Sequence, residues 1–182
     1  MTDQNIECEI RSFISSAQFD RLADYFRQAA KFNGDDEQVT YYFDCPQDLR
    51  IQQNSRYAKV WLKHGQLHDE QREEIEIKFP REDFEKMEQL FLALGYGVEI
   101  KWFRRRLSFT WGDIEVSLDH TRGYGRIIEL EIMSSTERQE EAVAHLKDKL
   151  AELAVPLTPK SDFDEKYRHY QANWQQLIAV DI

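Results

Sequence analysis

Apolar and charged positions alternate with a period of two through most of this chain, which predicts strands with one greasy face and one charged face. Ile6, Cys8 and Ile10 alternate with Glu7, Glu9 and Arg11, and Ile75, Ile77 and Phe79 with Glu74, Glu76 and Lys78. Near the middle, Ile114, Val116 and Leu118 oppose Glu115, Ser117 and Asp119. A glycine turn, Thr121-Arg122-Gly123-Tyr124-Gly125, then leads into Ile128, Leu130 and Ile132, opposed by Glu129 and Glu131. Four more strands are expected at 40–44, 49–52, 57–63 and 98–109. In these, Arg50, Lys59 and Lys63 fall opposite aliphatic residues, and Arg104 and Arg106 share a face.

Helical spacing appears between these runs. Ser15 and Gln18 form a capping box ahead of the stripe Phe19, Leu22, Ala23 and Phe26, which Asn33-Gly34 is expected to end. Pro80 opens a second helix with Phe84, Met87, Phe91 and Leu94, stopped by Gly95. Ser134 and Glu137 suggest another capping box before Val143, Leu146, Leu150 and Leu153. Beyond Pro156 and Pro159, a last helix carries Phe163, Tyr167, Tyr170, Trp174 and Leu177, a stripe expected to pack. The Glu-x-Glu strands at Glu7, Glu74 and Glu129 each run into a helix, which suggests a degenerate repeat of two related halves. The expectation is a single α+β domain over 1–182. Helices would cover the apolar face from outside, and the sheet would close into an eight-stranded antiparallel β-barrel with a polar lumen. An open sheet with its charged face in water is the alternative, and periodicity does not separate the two.

Composition narrows the function. A net charge of -10 and a pI near 5.0 argue against nucleic acid or an anionic membrane as partner. Two cysteines, Cys8 and Cys45, make no disulfide framework, and the first residues lack the apolar run of a signal peptide, so a cytoplasmic protein is expected. Two carboxylates at i, i+2 on a strand lie roughly 7 Å apart and repel by about 2 kcal/mol at an effective dielectric of ~20. The charged faces hold both signs: acids Glu7, Glu9, Glu74, Glu76, Glu115, Asp119, Glu129 and Glu131, and bases Arg11, Arg50, Lys59, Lys63, Lys78, Arg104 and Arg106. A polyanion with a divalent metal would organise such a set, because bases take phosphate oxygens and clustered carboxylates take Mg²⁺ or Mn²⁺. The five histidines show no ligand spacing.

The motifs together resemble the CYTH family, the triphosphate tunnel metalloenzymes that include class IV adenylyl cyclases and thiamine triphosphatases. Glu7-Cys8-Glu9-Ile10-Arg11 is similar to the family's Glu-x-Glu-x-Lys with arginine for lysine. Tyr42-Phe43-Asp44, Leu49-Arg50, Leu62-Lys63-His64-Gly65, Arg72 to Glu76, Arg104-Arg105-Arg106 and Asp119 to Glu131 follow in the family's order. The resemblance implies a tunnel in which Glu7, Glu9, Glu129 and Glu131 hold metal and Arg50, Lys59, Lys63, Lys78, Arg104 and Arg106 grip phosphates. Glu74 and Glu76 are further tunnel acids, and Asp119 would ligate metal or orient a basic neighbour. Arg11 occupies the place of a lysine proton acceptor; always charged, it is better suited to phosphate. The leading reading is a cyclase converting ATP to cyclic AMP and pyrophosphate with Mg²⁺ or Mn²⁺. The alternatives are an inorganic or thiamine triphosphatase, a non-catalytic nucleotide or polyphosphate binder, and an interaction protein with solvated charged faces. The cyclase branch is often dimeric, so a homodimer is expected by analogy.

Overall fold

The computed structural model describes residues 6–63 and 74–180, with only the backbone described at Lys63 and Glu74. His64, Gly65, His68, Arg72 and Glu73 lie outside the described residues. The expected strands form β1 (Ile6–Ile14), β2 (Lys31–Phe43), β3 (Asp48–Gln53), β4 (Ala58–Lys63), β5 (Glu74–Phe79), β6 (Val98–Trp111), β7 (Ile114–Thr121) and β8 (Gly125–Ser134). The helices are α1 (Ser16–Ala29), α2 (Phe84–Ala93), α3 (Gln139–Glu152) and α4 (Lys160–Val180). One sheet holds all eight strands in the order β1-β8-β7-β6-β2-β3-β4-β5, every neighbouring pair antiparallel. The chain therefore runs βαβββ twice, and exchanging the repeats reproduces the same strand order read backwards.

β1 and β5 are the two edges, and among the described residues no backbone ladder joins them. The architecture is thus an eight-stranded antiparallel sheet with helices, without the hydrogen-bonded closure expected of a barrel. Part of the β1 edge is taken by another segment. Phe13 N donates to Thr158 Oγ1 at 3.0 Å, while buried Ser12 donates through Oγ to Pro156 O and accepts from Thr158 N.

The apolar face is covered as the patterning predicts except at β5, where Ile75 and Ile77 are exposed. Phe19, Leu22, Ala23 and Phe26 of α1 and Leu146 and Leu150 of α3 pack on Cys8, Ile10, Leu107, Phe109, Val116, Leu118, Ile128 and Leu130. Each such side chain removed from water contributes about 1.5–3 kcal/mol. Phe84 of α2 packs with Phe43, Ile51 and Ala58. The Ser15 capping box is formed, with Gln18 N donating to Ser15 Oγ at 3.2 Å and Ser15 N to Gln18 Oε1 at 2.9 Å.

Several boundaries differ from expectation. Asn33-Gly34 does not end α1; the helix stops at Ala29, and both residues lie within β2, where the register with β6 shifts between Phe32 and Gly34. Ser134 does not cap α3, because its backbone is still paired with Ile6; a 3-10 turn at Thr136–Arg138 intervenes. Pro80 likewise opens a 3-10 turn, Arg81–Asp83, and Leu94 beyond α2 is exposed rather than part of the stripe.

The sequence leaves open whether the C-terminal helix packs on the sheet or on a second subunit; the linker rounds the β1 edge and brings α4 onto the charged side of the sheet. There Phe163 and Tyr170, with Tyr167, Trp174 and Leu177, pack on Phe13, Tyr42, Ile100, Trp102 and Ile127. All five belong to the face that carries Glu7, Arg104 and Glu129. β6 extends beyond β7, which starts to pair only at Arg104, so carbonyls near its start need other donors. Tyr170 Oη donates to Lys101 O and Trp174 Nε1 to Glu99 O, both at 2.9 Å.

The glycine turn before β8 is shaped by the same helix. Gly123 has φ +71°, and a Cβ there would lie 2.7 Å from Leu177 Cβ. Gly123→Ala is expected to cost about 1–3 kcal/mol through this overpacking and its left-handed backbone. Limited proteolysis should then show faster cleavage within α4; an unchanged pattern and melting temperature would refute this seating of the helix.

Candidate active site

Strand alternation and register bring the charged side chains together in three groups across one face. The first lies at β1 and β8. Glu9 pairs across with Glu131 and Arg11 with Glu129, and carboxylate oxygens of Glu7, Glu9 and Glu131 lie within 4.8 Å of one another. Burial and the neighbouring charges of Glu7, Glu129 and Glu9 push the Glu131 carboxyl up to about 7. Burial and Glu129 also raise Glu9. Three mutually repelling carboxylates are hard oxygen donors, and a divalent cation would relieve the repulsion that raises them, so the residues fit such an ion. Arg11 lies 3.9 Å from Glu9 and 5.1 Å from the centre of the Phe163 ring.

The second group is centred on Asp119, which is only 3% exposed. Arg106 donates to it through Nε and Nη2 at 2.7 and 2.6 Å, and Arg104 through Nη1 at 3.2 Å. Arg106 also donates to Glu129, while Arg104 is held from the other side by Gln38 Oε1. Burial would raise Asp119, but the two arginines outweigh it and hold the carboxyl below its usual range. Burial likewise opposes the Arg106 charge, and Glu129 and Asp119 more than compensate, raising its pKa. Asp119 is therefore an arginine-orienting residue in this geometry. Glu129 lies between Arg106, which donates to it, and Glu9 and Glu131, whose carboxyls its charge raises.

The third group occupies β2 to β5. Thr40, Tyr42, Arg50, Gln52, Trp61, Trp102 and Arg104 line a pocket of about 60 Å³. Arg50 is held by Asp48 in a two-pronged pair, both contacts 2.6 Å, and lies 4.3 Å from the centre of the Tyr42 ring. Lys59 donates to Glu76 at 2.7 Å, and Lys78 lies 3.6 Å from the same carboxylate. The hydrogen bond from Lys59 is the main reason the Glu76 carboxyl sits low. Lys63 and Glu74 face each other in the β4–β5 register, but their side chains lie outside the described residues. Glu115 shares this face, but it is engaged by Thr110 and Asn33.

Sequence reading missed Asp36, Gln38, Thr40 and Gln52 of this face. A signal was present: three consecutive arginines on one strand require partners, and Asp36-Glu37-Gln38 run antiparallel to Arg106-Arg105-Arg104 in register. Nearby, Arg105 is paired with Asp35 on the opposite face.

With this geometry in hand, comparison with known proteins is informative. The CYTH domain profile matches residues 5–162. The chain belongs to the CYTH domain family. This CYTH chain is 35% identical, over 109 residues, to a protein of Methanocaldococcus jannaschii named "putative adenylate cyclase"; the match covers 58% of this chain and 59% of that relative's length. Among solved structures, one from Pyrococcus horikoshii has a TM-score of 0.66 at 24% identity, covering 83% of this chain and 92% of that one. A Hippeastrum structure, described as a "putative adenylyl cyclase" with a dominant triphosphatase activity, has a TM-score of 0.67 at 17% identity and covers 91% and 96% of the two chains. At these identities the structures establish the shared fold. No helix among the described residues is long and apolar enough to cross a membrane.

Proposed function

We propose that this CYTH protein is a Mg²⁺- or Mn²⁺-dependent enzyme that hydrolyses the terminal phosphate of a triphosphate. The carrying observation is the continuous run on one face from the Glu7, Glu9 and Glu131 carboxylates, through Glu129, Arg106, Asp119 and Arg104, to Arg50. The bound cation would lower the negative charge of the phosphates and the pKa of an attacking water. Glu7, Glu9 and Glu131 would hold it. Arg104 and Arg106, oriented by Asp119, meet the charge that spreads over the phosphoryl oxygens as water displaces diphosphate. Arg11, Arg50, Lys59 and Lys78 extend the cationic wall, and Lys59 and Lys78 share Glu76 as counter-charge.

Hydrolysis is favoured over cyclisation because a nucleobase finds little free aromatic surface. Trp102 sits 4.6 Å from Tyr124 and 4.9 Å from Tyr170, centre to centre, and cationic side chains lie over Tyr42 and Trp61. A second reading, cyclisation of ATP by its ribose 3′-hydroxyl, draws on the name of the Methanocaldococcus jannaschii relative. The test is chromatography of products after incubation with Mn²⁺ or Mg²⁺ and inorganic triphosphate, thiamine triphosphate or ATP. Orthophosphate is expected, falling about 100-fold or more in Glu131→Ala, since metal-site electrostatics supply several kcal/mol of transition-state stabilisation. Cyclic AMP with pyrophosphate would establish the second reading instead, and no product from any substrate would refute both.

A further inference from the structure

The two edges of the sheet differ in how they are protected. The linker engages β1 at Ser12 and Phe13, whereas among the described residues no ladder lies on the outer side of β5. The apolar side of β5 is also bare. Phe84 of α2 packs with Phe43, Ile51 and Ala58, and Phe79 joins that cluster, but Ile75 and Ile77 are 50% and 59% exposed. No bulge interrupts the strand, whose pairing with β4 runs in unbroken register from Glu74 to Phe79. A straight edge with two exposed isoleucines is a template for another strand.

The charge pattern of β5, Glu-Ile-Glu-Ile-Lys-Phe, points to a second copy of itself as that strand. Two identical strands paired antiparallel are related by a twofold axis, and opposed residues face the same side of the sheet, so the axis passes through a residue. Pairing three or more strand residues requires the axis at Ile75, Glu76, Ile77 or Lys78. Centring on Glu76 or Lys78 sets a charge against its own copy, and like charges directly opposed are destabilising. Centring on Ile75 leaves Lys78 and Phe79 unpaired. Centring on Ile77 sets Glu76 against the partner's Lys78, and Lys78 against the partner's Glu76. On the other face it opposes Ile75 to the partner's Phe79 and Ile77 to itself. The Lys78 side chain is 60% exposed and 3.6 Å from Glu76 of its own strand, so a small turn takes it to the partner's carboxylate.

We propose that β5 is a dimerisation edge, at which two copies of this chain pair antiparallel about a twofold axis through Ile77. The two sheets then continue into one another, their charged faces on one side and their bare isoleucines covered on the other. The contact does not depend on which reaction the protein performs.

Sedimentation velocity at tens of micromolar should show a dimer, and Ile77→Lys, which sets two lysines at the axis, should weaken association at least tenfold. Because Ile77 is more than half exposed, the variant's melting temperature when monomeric should stay within a few degrees of wild type. The register is read by cysteine cross-linking. Opposed Cβ atoms lie roughly 4.5–5.5 Å apart, close to what a disulfide spans, so mild oxidation should convert Ile77→Cys to a covalent dimer. Ile75→Cys should not cross-link, since four residues of about 3.4 Å separate it from its copy. Wild type, with buried Cys8 and half-buried Cys45, sets the background. A monomeric wild type at these concentrations would overturn the proposal and leave the edge to an extended segment of another protein. A dimer untouched by Ile77→Lys, or Ile75→Cys cross-linking as readily as Ile77→Cys, would overturn it as well. None of these readouts is activity, so each outcome leaves the triphosphate reading where it stands.

Discussion

Asp119→Ala is expected to destabilise the protein by about 3–5 kcal/mol, the range for removing one partner from a buried ion pair. The residue separates Arg104 and Arg106, each with a side chain only 23% exposed, and without it two guanidinium groups face each other with Glu129 as the nearby counter-charge. For a chain of this length the loss corresponds to a fall in melting temperature of about 10 °C. Asp119→Asn keeps the shape and loses the charge, so it should fall between wild type and alanine. The native carboxyl is held below its usual range by the two arginines, so its contribution is present above the unfolded pKa and is lost as pH falls through the folded one. The gap between wild type and alanine should therefore close in acid. Inorganic triphosphate or sulfate should recover more stability in the variant than in wild type, because an anion can replace the missing charge. Urea titrations at neutral and acid pH test this, and a variant within about 1 kcal/mol of wild type at neutral pH would remove Asp119 from its orienting role.

The second large effect concerns Glu131 and has the opposite sign with pH. Its carboxyl is pushed up to about 7 by burial and by Glu7, Glu129 and Glu9. A group whose folded pKa is raised stabilises fully below the unfolded value, and that contribution is lost as pH rises through the folded one. In chelator, wild type should lose about 1–2 kcal/mol relative to Glu131→Gln between roughly pH 4.5 and 8, after allowance for partial exposure. Mn²⁺ should reverse this, because carboxylate ligands bind metal deprotonated. Its stabilising effect should grow above pH 7 in wild type and be largely absent in the variant. Parallel melting curves of the two proteins in chelator and in Mn²⁺ would decide it: superimposable pH profiles would show that Glu131 is neither crowded nor a ligand.

Much of this architecture is legible in the residue order because the charged face repeats every second position and leaves little choice of register. Once Glu9 and Glu131 are known to face the same way, their pairing across β1 and β8 follows from the sheet order. The capping box at Ser15 was equally readable, since it needs only residues three apart. What stayed hidden depends on contacts between distant segments. Asn33-Gly34-Asp35-Asp36 has the composition of a loop, and it is extended because β6 offers it a ladder and arginine partners. The stripe Phe163, Tyr167, Tyr170 and Trp174 showed that α4 is buried on one side, but periodicity does not say which side of a sheet a helix meets. That was settled by the linker over β1 and by the β6 carbonyls that Tyr170 and Trp174 satisfy. The site followed the same division. The acids were visible in the sequence, whereas Gln38 reaches Arg104 only because β2 lies beside β6.

The exchange of strands between the two repeats has a consequence for biosynthesis. β1, made before the other seven strands, has its ladder partner in β8, which ends at Ser134, so the carboxylates of Glu7 and Glu9 wait on an unpaired strand until β8 has been made. Until Glu131 arrives, the emerging chain has only two of the three carboxylates proposed to hold a cation. A chain released before β8 should therefore be inert rather than weakly active, and its unpaired β1 would be an open edge for chaperones or aggregation.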